Sequence, residues 1–420
     1  MPIGTKKEVV LLSHPVLLPD SNPESSDFST HLSRAAALLY AFLCGTAVAT
    51  VYFSQPLLDV IATEFGIGKA VIGTVITATQ LCYALGLFFL VPLGDILEPR
   101  RLVTWMLLLS SAALSLVAFA PGATVLFLGM GMVGFLAVVA QVLVALAAAR
   151  SLPGDRGKVI GLMTSGIVIG ILLARTFSGT LADLSGWRTV YIVSAAISLI
   201  MSISFVLVTP VARRRSSRIS YLKLLSSMKD LFLDIPLLRV RAMLAFFIFA
   251  AFGTLWSSMV LPLSSPPFSL SHTAIGLFGL AGAAGALAAR SAGRLADRGL
   301  GQRTTGLALL LLTLSWVPIG LLQKSLWIFV LGVIMLDYAV QAVHVTNQTM
   351  ILSVRPEARS RLTAGYMIFY SLGSAAGAVA ATFVYSRAGW LGVCALGGGI
   401  SAAAFLFWAA TRKTSESVKC

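Results

Sequence analysis

Windows of about 18 or more residues with almost no charge recur twelve times along this chain: 35–58, 70–93, 102–120, 123–148, 159–181, 189–209, 242–263, 273–292, 304–323, 326–349, 363–385 and 390–411. A segment of that length crossing a bilayer finds no water for its N–H and C=O groups, so each must close its own hydrogen bonds as a helix. The expected fold is therefore an all-α membrane protein with twelve transmembrane helices. Only 11% of the residues are charged, against roughly 25% in soluble domains, which excludes a water-soluble alternative.

The formal charge of +15 would suggest a polyanionic partner in a soluble chain. Here its placement explains it. With the N-terminus inside, about 26 of the 31 Lys and Arg fall in cytoplasmic segments, Lys69, Arg188, Lys324 and Arg387 fall outside, and Arg175 lies within a span. Both termini are thus expected in the cytoplasm of a bacterial inner membrane, with the lipid bilayer as the surrounding medium and no nucleic acid as partner. Residues 1–33, rich in Pro, Ser and Asp, read as a disordered cytoplasmic tail without the pattern of a signal peptide. Residues 412–420 read as a second cytoplasmic tail. Cys44, Cys82, Cys394 and Cys420 lack metal-type spacing, and the first three sit in apolar spans as small hydrophobes.

A basic segment, 210–241, separates six spans from six. It carries Arg213, Arg214, Arg215, Arg218, Lys223 and Lys229, and its charges suit a surface lying on anionic lipids. Shifting the chain by 203 positions superimposes Pro153 on Pro356, Arg156 on Arg359, Gly170 on Gly373, and Gly186-Trp187 on Gly389-Trp390. Two pseudo-symmetric six-helix halves, 34–209 and 242–411, are the expected domains, with a solute site between them. Gly166 with Gly170, and Gly373 with Gly377, supply one small-residue packing element to each half.

Asp337 lies near the middle of its span. An acid there costs roughly 2.5–3.5 kcal/mol on insertion scales and usually faces a bundle interior or a water-filled cavity. Gln341, His344 and Gln348 follow at helical spacing on the same face, a stripe roughly 16 Å long running toward the cytoplasmic side. Asp337 and His344 are candidate proton-coupling residues, because a carboxyl gains or releases a proton as its surroundings dry or hydrate. Binding of a solute by Asp337, or a fixed pair with Arg175, stays open. Arg175 is placed close enough to the outer end of its span to snorkel. Candidate solute contacts are Arg175, Gln341, Gln348, Tyr52, Gln55 and Gln80. For Tyr52 an interfacial anchor, for Gln55 a patch on the Pro56-disturbed backbone, and for Gln80 a helix-to-helix tie are the plain alternatives.

Two loops carry a further pattern, Pro92-Leu-Gly94-Asp95 with Arg100-Arg101, and Gly293-Arg294-Leu-Ala-Asp297-Arg298-Gly299. They resemble the cytoplasmic Gly-x-Leu-Ala-Asp-Arg-x-Gly-Arg-Arg loop that occurs once in each half of the major facilitator superfamily. The second copy is close. The first departs from it at Val91, Ile96 and Glu98. The resemblance implies a cytoplasmic gate built from Gly94, Asp95, Arg100, Arg101, Gly293, Asp297 and Arg298, whose charges pair with neighbouring helix ends in one state and part in another.

Within that superfamily Tyr52-Phe-Ser-Gln55-Pro, Gln80-Leu-Cys-Tyr83, Arg175-Thr-Phe-Ser-Gly179 and His344-Val-Thr-Asn347-Gln348 resemble a bacterial subgroup of drug or arabinose efflux carriers. That resemblance implies a secondary transporter, without cofactor, that exports a small organic solute against protons and functions as a monomer. The span-five drug–proton antiporter motif is half present at Gly170, Ile171, Ala174 and Arg175, which keeps uptake or facilitated diffusion by the same fold in play. A non-transporting receptor stays a further alternative. No catalytic constellation, nucleotide-binding loop or metal-ligand spacing is found, so no enzyme is expected.

Overall fold

The computed structural model describes residues 32–152, 155–211, 220–282, 295, 299–355 and 359–416. It is helical throughout, and no strand occurs among the described residues. Nine helices among them are long and apolar enough to cross a membrane. Four of the twelve expected spans do not stand among these nine as separate helices. The first span is a helix, α1 (Arg34–Ala49), followed by turns, a tight turn at Gln55–Leu57 that carries Pro56, and α2 (Leu58–Phe65). Proline there has no N–H for the ladder and clashes with the preceding turn. The eighth span is described only from His272 to Gly282, as α12 (His272–Leu277) and a short turn. The last two expected spans form one run, Arg359–Glu416, broken at Gly389.

That break restates the sequence repeat in backbone terms. Gly389 has φ 61° and its counterpart Gly186 has φ 85°, the left-handed region in which a side chain is strained. The tryptophans that follow, Trp187 and Trp390, are both buried. Gly186 separates α7 (Arg156–Ser185) from α8 (Trp187–Val208). The paired small residues act alike in both places. A side chain on Gly166 or Gly170 would overlap the backbone of Ala41 or Gly45 on α1, and one on Gly373 or Gly377 would overlap Phe246 or Ala250 on α10 (Pro236–Ser258). Lipid tails are as apolar as leucine, so this close backbone approach is what holds such helices together.

The linker carries structure that the sequence reading left unassigned. Helix α9 (Tyr221–Asp234) lies against the bundle, with Tyr221 donating to the Phe89 carbonyl at 2.8 Å and Arg361 donating to Ser227 Oγ at 3.0 Å. Arg241, the last residue of the expected linker, is wholly buried on α10. It is a second buried base, which the apolar window starting at residue 242 had excluded.

The two faces of the bundle differ. At the face whose loops carry few charges, the early and late helices touch directly: Thr77 Oγ1 donates to the Ala375 carbonyl at 2.9 Å, Gly73 packs on Ala378, and Gly179 packs on the His272 carbonyl. Toward the basic face a cavity of about 140 Å³ lies between Val91, Pro92 and Val142 on one side and Arg361 and Ala364 on the other.

Arg188 fastens the low-charge ends of three early helices. It donates to Glu64 Oε1 at 2.5 Å, to the Ala118 carbonyl at 2.9 Å and to the Ala120 carbonyl at 3.1 Å. The Glu64 pair is partly exposed, at 34% and 41%, and such pairs contribute about 1 kcal/mol or less. Glu64→Gln should therefore barely move the melting temperature in detergent. Arg188→Ala, which also strips hydrogen bonds from the carbonyl end of the Pro99–Ala118 helix, should cost about 1–3 kcal/mol. Equal melting shifts for the two variants would contradict this division.

Candidate functional site

The polar centre is assembled where the early and late helices meet. Arg175 comes from α7, Gln55 from the proline turn, Trp256 from α10, and Asp337 from α15 (Leu326–Leu352). Arg175 Nε donates to Gln55 Oε1 at 2.7 Å. The guanidinium lies 3.8 Å from the Trp256 ring centre and 5.0 Å from that of Tyr52, a cation–π geometry strengthened by the dry surroundings. Trp256 Nε1 in turn donates to Asp337 Oδ1 at 3.1 Å. No direct ion pair joins Asp337 and Arg175 among the described residues. The indole stands between base and acid, one contact to each.

Arg175 is 3% exposed, which corrects the expectation that it snorkels. Its helix leans on α12, where Gly276 packs on the Arg175 carbonyl, and the aromatic rings around the guanidinium hold the side chain inward. Tyr52 is likewise buried rather than an interfacial anchor, with its hydroxyl hydrogen-bonded to that of Tyr370 on the opposite side. Gln55 holds Arg175 instead of patching the backbone. Gln80 is buried and its amide has no hydrogen-bond partner, so it ties no helices together. Gln55 Nε2, Arg175 Nη2, Ser54 Oγ, Ser257 Oγ and Ser371 Oγ are also buried without partners. Unpaired buried groups of this kind cost about 1–3 kcal/mol each, and they occur on both early and late helices.

His344 is set apart from Asp337. Its Nδ1 is 2.9 Å from the Tyr366 hydroxyl, and its ring packs against Phe249 and Tyr370. A second polar cluster extends from it: Asn347 Nδ2 reaches Tyr366 at 3.5 Å, while Arg241 Nη1 donates to Asn347 Oδ1 at 3.1 Å and to Thr305 Oγ1 at 3.0 Å. Gln341 and Gln348 are half-buried on the same helix, and Asp337 takes its hydrogen bond from Trp256 rather than from either of them. The polar stripe is thus real as a helical face but divides into two chemically separate groups.

Of the predicted gate, Gly94 borders the 140 Å³ cavity. Arg100 Nη2 donates to the Val206 carbonyl at 2.7 Å and Arg101 pairs with Glu98 at 3.1 Å. Both contacts stay within the first group of helices. The side chain of Asp95, together with Gly293, Asp297 and Arg298, lies outside the described residues. A larger cavity, of about 460 Å³, is apolar, lies among Phe42, Phe53, Leu114, Ile169 and Met201, and touches none of the predicted residues.

Sequence reasoning missed Trp256 and Tyr370, which look like ordinary core aromatics until their ring contacts are known. It also missed Asp59, Asp183 and His272, which sit at span ends where a charge needs no explanation. Arg241 had a signal, a base immediately before an apolar window.

The family model described as Major Facilitator Superfamily matches residues 37–298 and 242–419. The chain is 45% identical over 377 residues to the "Uncharacterized transporter YgaY" of Escherichia coli O157:H7, covering 90% of this chain and 95% of that one. It is 23% identical over 375 residues to a "Probable sugar efflux transporter" of Helicobacter pylori, covering 88% and 92%. Among solved structures, a bacterial homologue of the human lysosomal transporter Spinster, inward-facing and unoccupied, superposes with a TM-score of 0.72 at 15% identity over 92% of this chain and 98% of that one.

Proposed function

Because the chain belongs to the Major Facilitator Superfamily, and so is a multi-pass membrane transporter rather than an enzyme, we propose that it exports a small organic solute across the bacterial inner membrane by proton-coupled alternating access. The two moving bodies are residues 34–209 and 242–411, and the solute binds between them. The observation that carries this reading is the Arg175–Trp256–Asp337 array, which joins early and late helices and leaves buried atoms of Gln55 and Arg175 partnerless, with further partnerless groups at Gln80, Ser257 and Ser371. A solute with hydrogen-bonding groups satisfies those atoms, and an apolar or planar face suits the rings of Tyr52, Phe252 and Trp256.

Asp337 is the proposed proton carrier. Its carboxyl is held by one indole N–H and lies beside Gly282, where a methyl carbon would sit 3.4 Å from Oδ2. Rocking of the two bodies changes what faces that carboxyl, and so changes its hold on a proton. His344, tied to Tyr366, is the proposed link from the centre toward the basic face. Export as the direction is supported by the subgroup resemblance and by the name carried by the Helicobacter relative. The loops around Asp95 and Asp297 are proposed as the gate on the basic face.

Everted membrane vesicles provide the test. With the vesicle lumen made acidic, so that protons run outward, a screened solute should accumulate inside against its concentration gradient, and an uncoupler should abolish that accumulation. Equilibration without accumulation would indicate facilitated diffusion, and accumulation only in right-side-out vesicles would indicate uptake.

A further inference from the structure

His272 opens α12 on the low-charge face, and both of its ring nitrogens meet carboxylates from the early helices. Nδ1 is 2.9 Å from Asp183 Oδ1, and Nε2 is 3.1 Å from Asp59 Oδ1. An ionised carboxylate only accepts hydrogen bonds, and a neutral imidazole has one nitrogen that donates and one that accepts. A neutral ring would therefore turn a lone pair onto one of the two carboxylates. The imidazolium alone donates to both. Its side chain is 19% exposed, with those of Asp59 and Asp183 at 22% and 25%, so a proton can reach it from the aqueous side.

The contact also bridges the moving parts. Asp59 lies on α2 and Asp183 near the end of α7, whereas His272 begins the late helix. Asp183 additionally accepts from the Thr273 backbone N–H and from Thr273 Oγ1, both at 2.7 Å. Other charges nearby are engaged elsewhere: Glu64 is taken by Arg188 and Trp187, and Arg175 lies about 12 Å deeper along α7. The Gln55–Leu57 turn, which also packs on this helix, adds only an uncharged amide. Hydrogen bonding to Asp59, opposed by burial and reinforced by the charges of Asp59 and Asp183, holds the His272 imidazole above the ordinary histidine range.

We propose that His272, clasped by Asp59 and Asp183, is an external proton site: a proton taken up from the low-charge side locks that face shut, and its release lets the face open. This rests on the alternating-access reading and adds a second proton site remote from Asp337. The sign follows from linkage. The closed face binds the proton more tightly than the open one, so closure is fully favoured below the ordinary imidazole value and loses that support as pH rises through the higher value of the closed face.

Spin labels at Ser185→Cys and Gln323→Cys, both exposed on the low-charge face and in different bodies, test this in the full-length protein with its native cysteines replaced. Distance distributions are recorded in liposomes from about pH 5 to about pH 9, a range that brackets histidine titration. The short-distance population should grow as pH falls, the closed-to-open ratio changing by up to about tenfold per pH unit for one linked proton. His272→Gln should lower that population and flatten its pH response. His272→Arg, permanently charged, should keep the face shut at every pH. A full pH response persisting in His272→Gln overturns the proposal. A distance that moves with solute or Asp337→Asn but not with pH overturns the proton site while leaving alternating access intact, and a distance fixed under all conditions overturns both.

Discussion

Asp337→Asn is expected to abolish uncoupler-sensitive accumulation in everted vesicles while leaving the folded protein at least as stable as the parent. The two halves of that result come from the same residue. Asparagine keeps the shape of the side chain and can still accept the Trp256 N–H, which is 3.1 Å from Oδ1 in the native protein. It removes a charge whose placement at mid-membrane costs roughly 2.5–3.5 kcal/mol, so the melting temperature in detergent should hold or rise. What it cannot do is take up and release a proton. Driven accumulation should fall by about tenfold or more, the equivalent of at least about 1.4 kcal/mol of lost coupling, whereas solute exchange without a gradient should continue. Retained gradient-driven transport would remove Asp337 as the proton carrier, and loss of exchange as well would move it into solute binding. A gain in stability joined to a loss of activity is the signature of a residue kept for function.

Gly170→Val is expected to have the largest effect on the fold itself. Gly170 lies on α7 directly against the backbone of Gly45, where any side chain overlaps main-chain atoms rather than the tip of a flexible neighbour. Overpacking a tight core costs about 1–3 kcal/mol even when side chains can move aside. Here two helices must separate, so the loss should reach about 3 kcal/mol or more and show as a collapse in monodisperse protein after solubilisation. Gly161, on the same helix, has open space around it, and Gly161→Ala should be neutral or stabilise by up to about 1 kcal/mol through helix propensity. Similar losses from both substitutions would mean that helix flexibility, not the contact with α1, sets the stability.

Much of the architecture was legible because the bilayer imposes it. A long uncharged window has one way to satisfy its backbone, so helices, their approximate ends and the internal repeat could be read from the chain, down to the Gly-Trp pairs at 186–187 and 389–390. The membrane forbids a lone buried charge, which made Asp337 conspicuous before any coordinates. The same rule failed at the edges. Arg241 fell just outside a window and was passed over, and His272, Asp59 and Asp183 sat at span ends, where ionisable residues cost little and attract no notice.

Sequence alone thus determined the class of protein, the helical segments and the residues too expensive to be accidental, since those follow from transfer of each segment out of water. Only the tertiary structure decided how they are joined. It turned Arg175 inward under Trp256 and Tyr52, put an indole between Arg175 and Asp337 in place of an ion pair, and separated His344 from the acid it follows along the helix. The reason is physical: partner choice inside a membrane depends on which helix faces meet and at what depth, and residues more than 80 positions apart, such as Trp256 and Asp337, share no local pattern that records their meeting. Asp337 announced itself through its cost, and its neighbours only through packing.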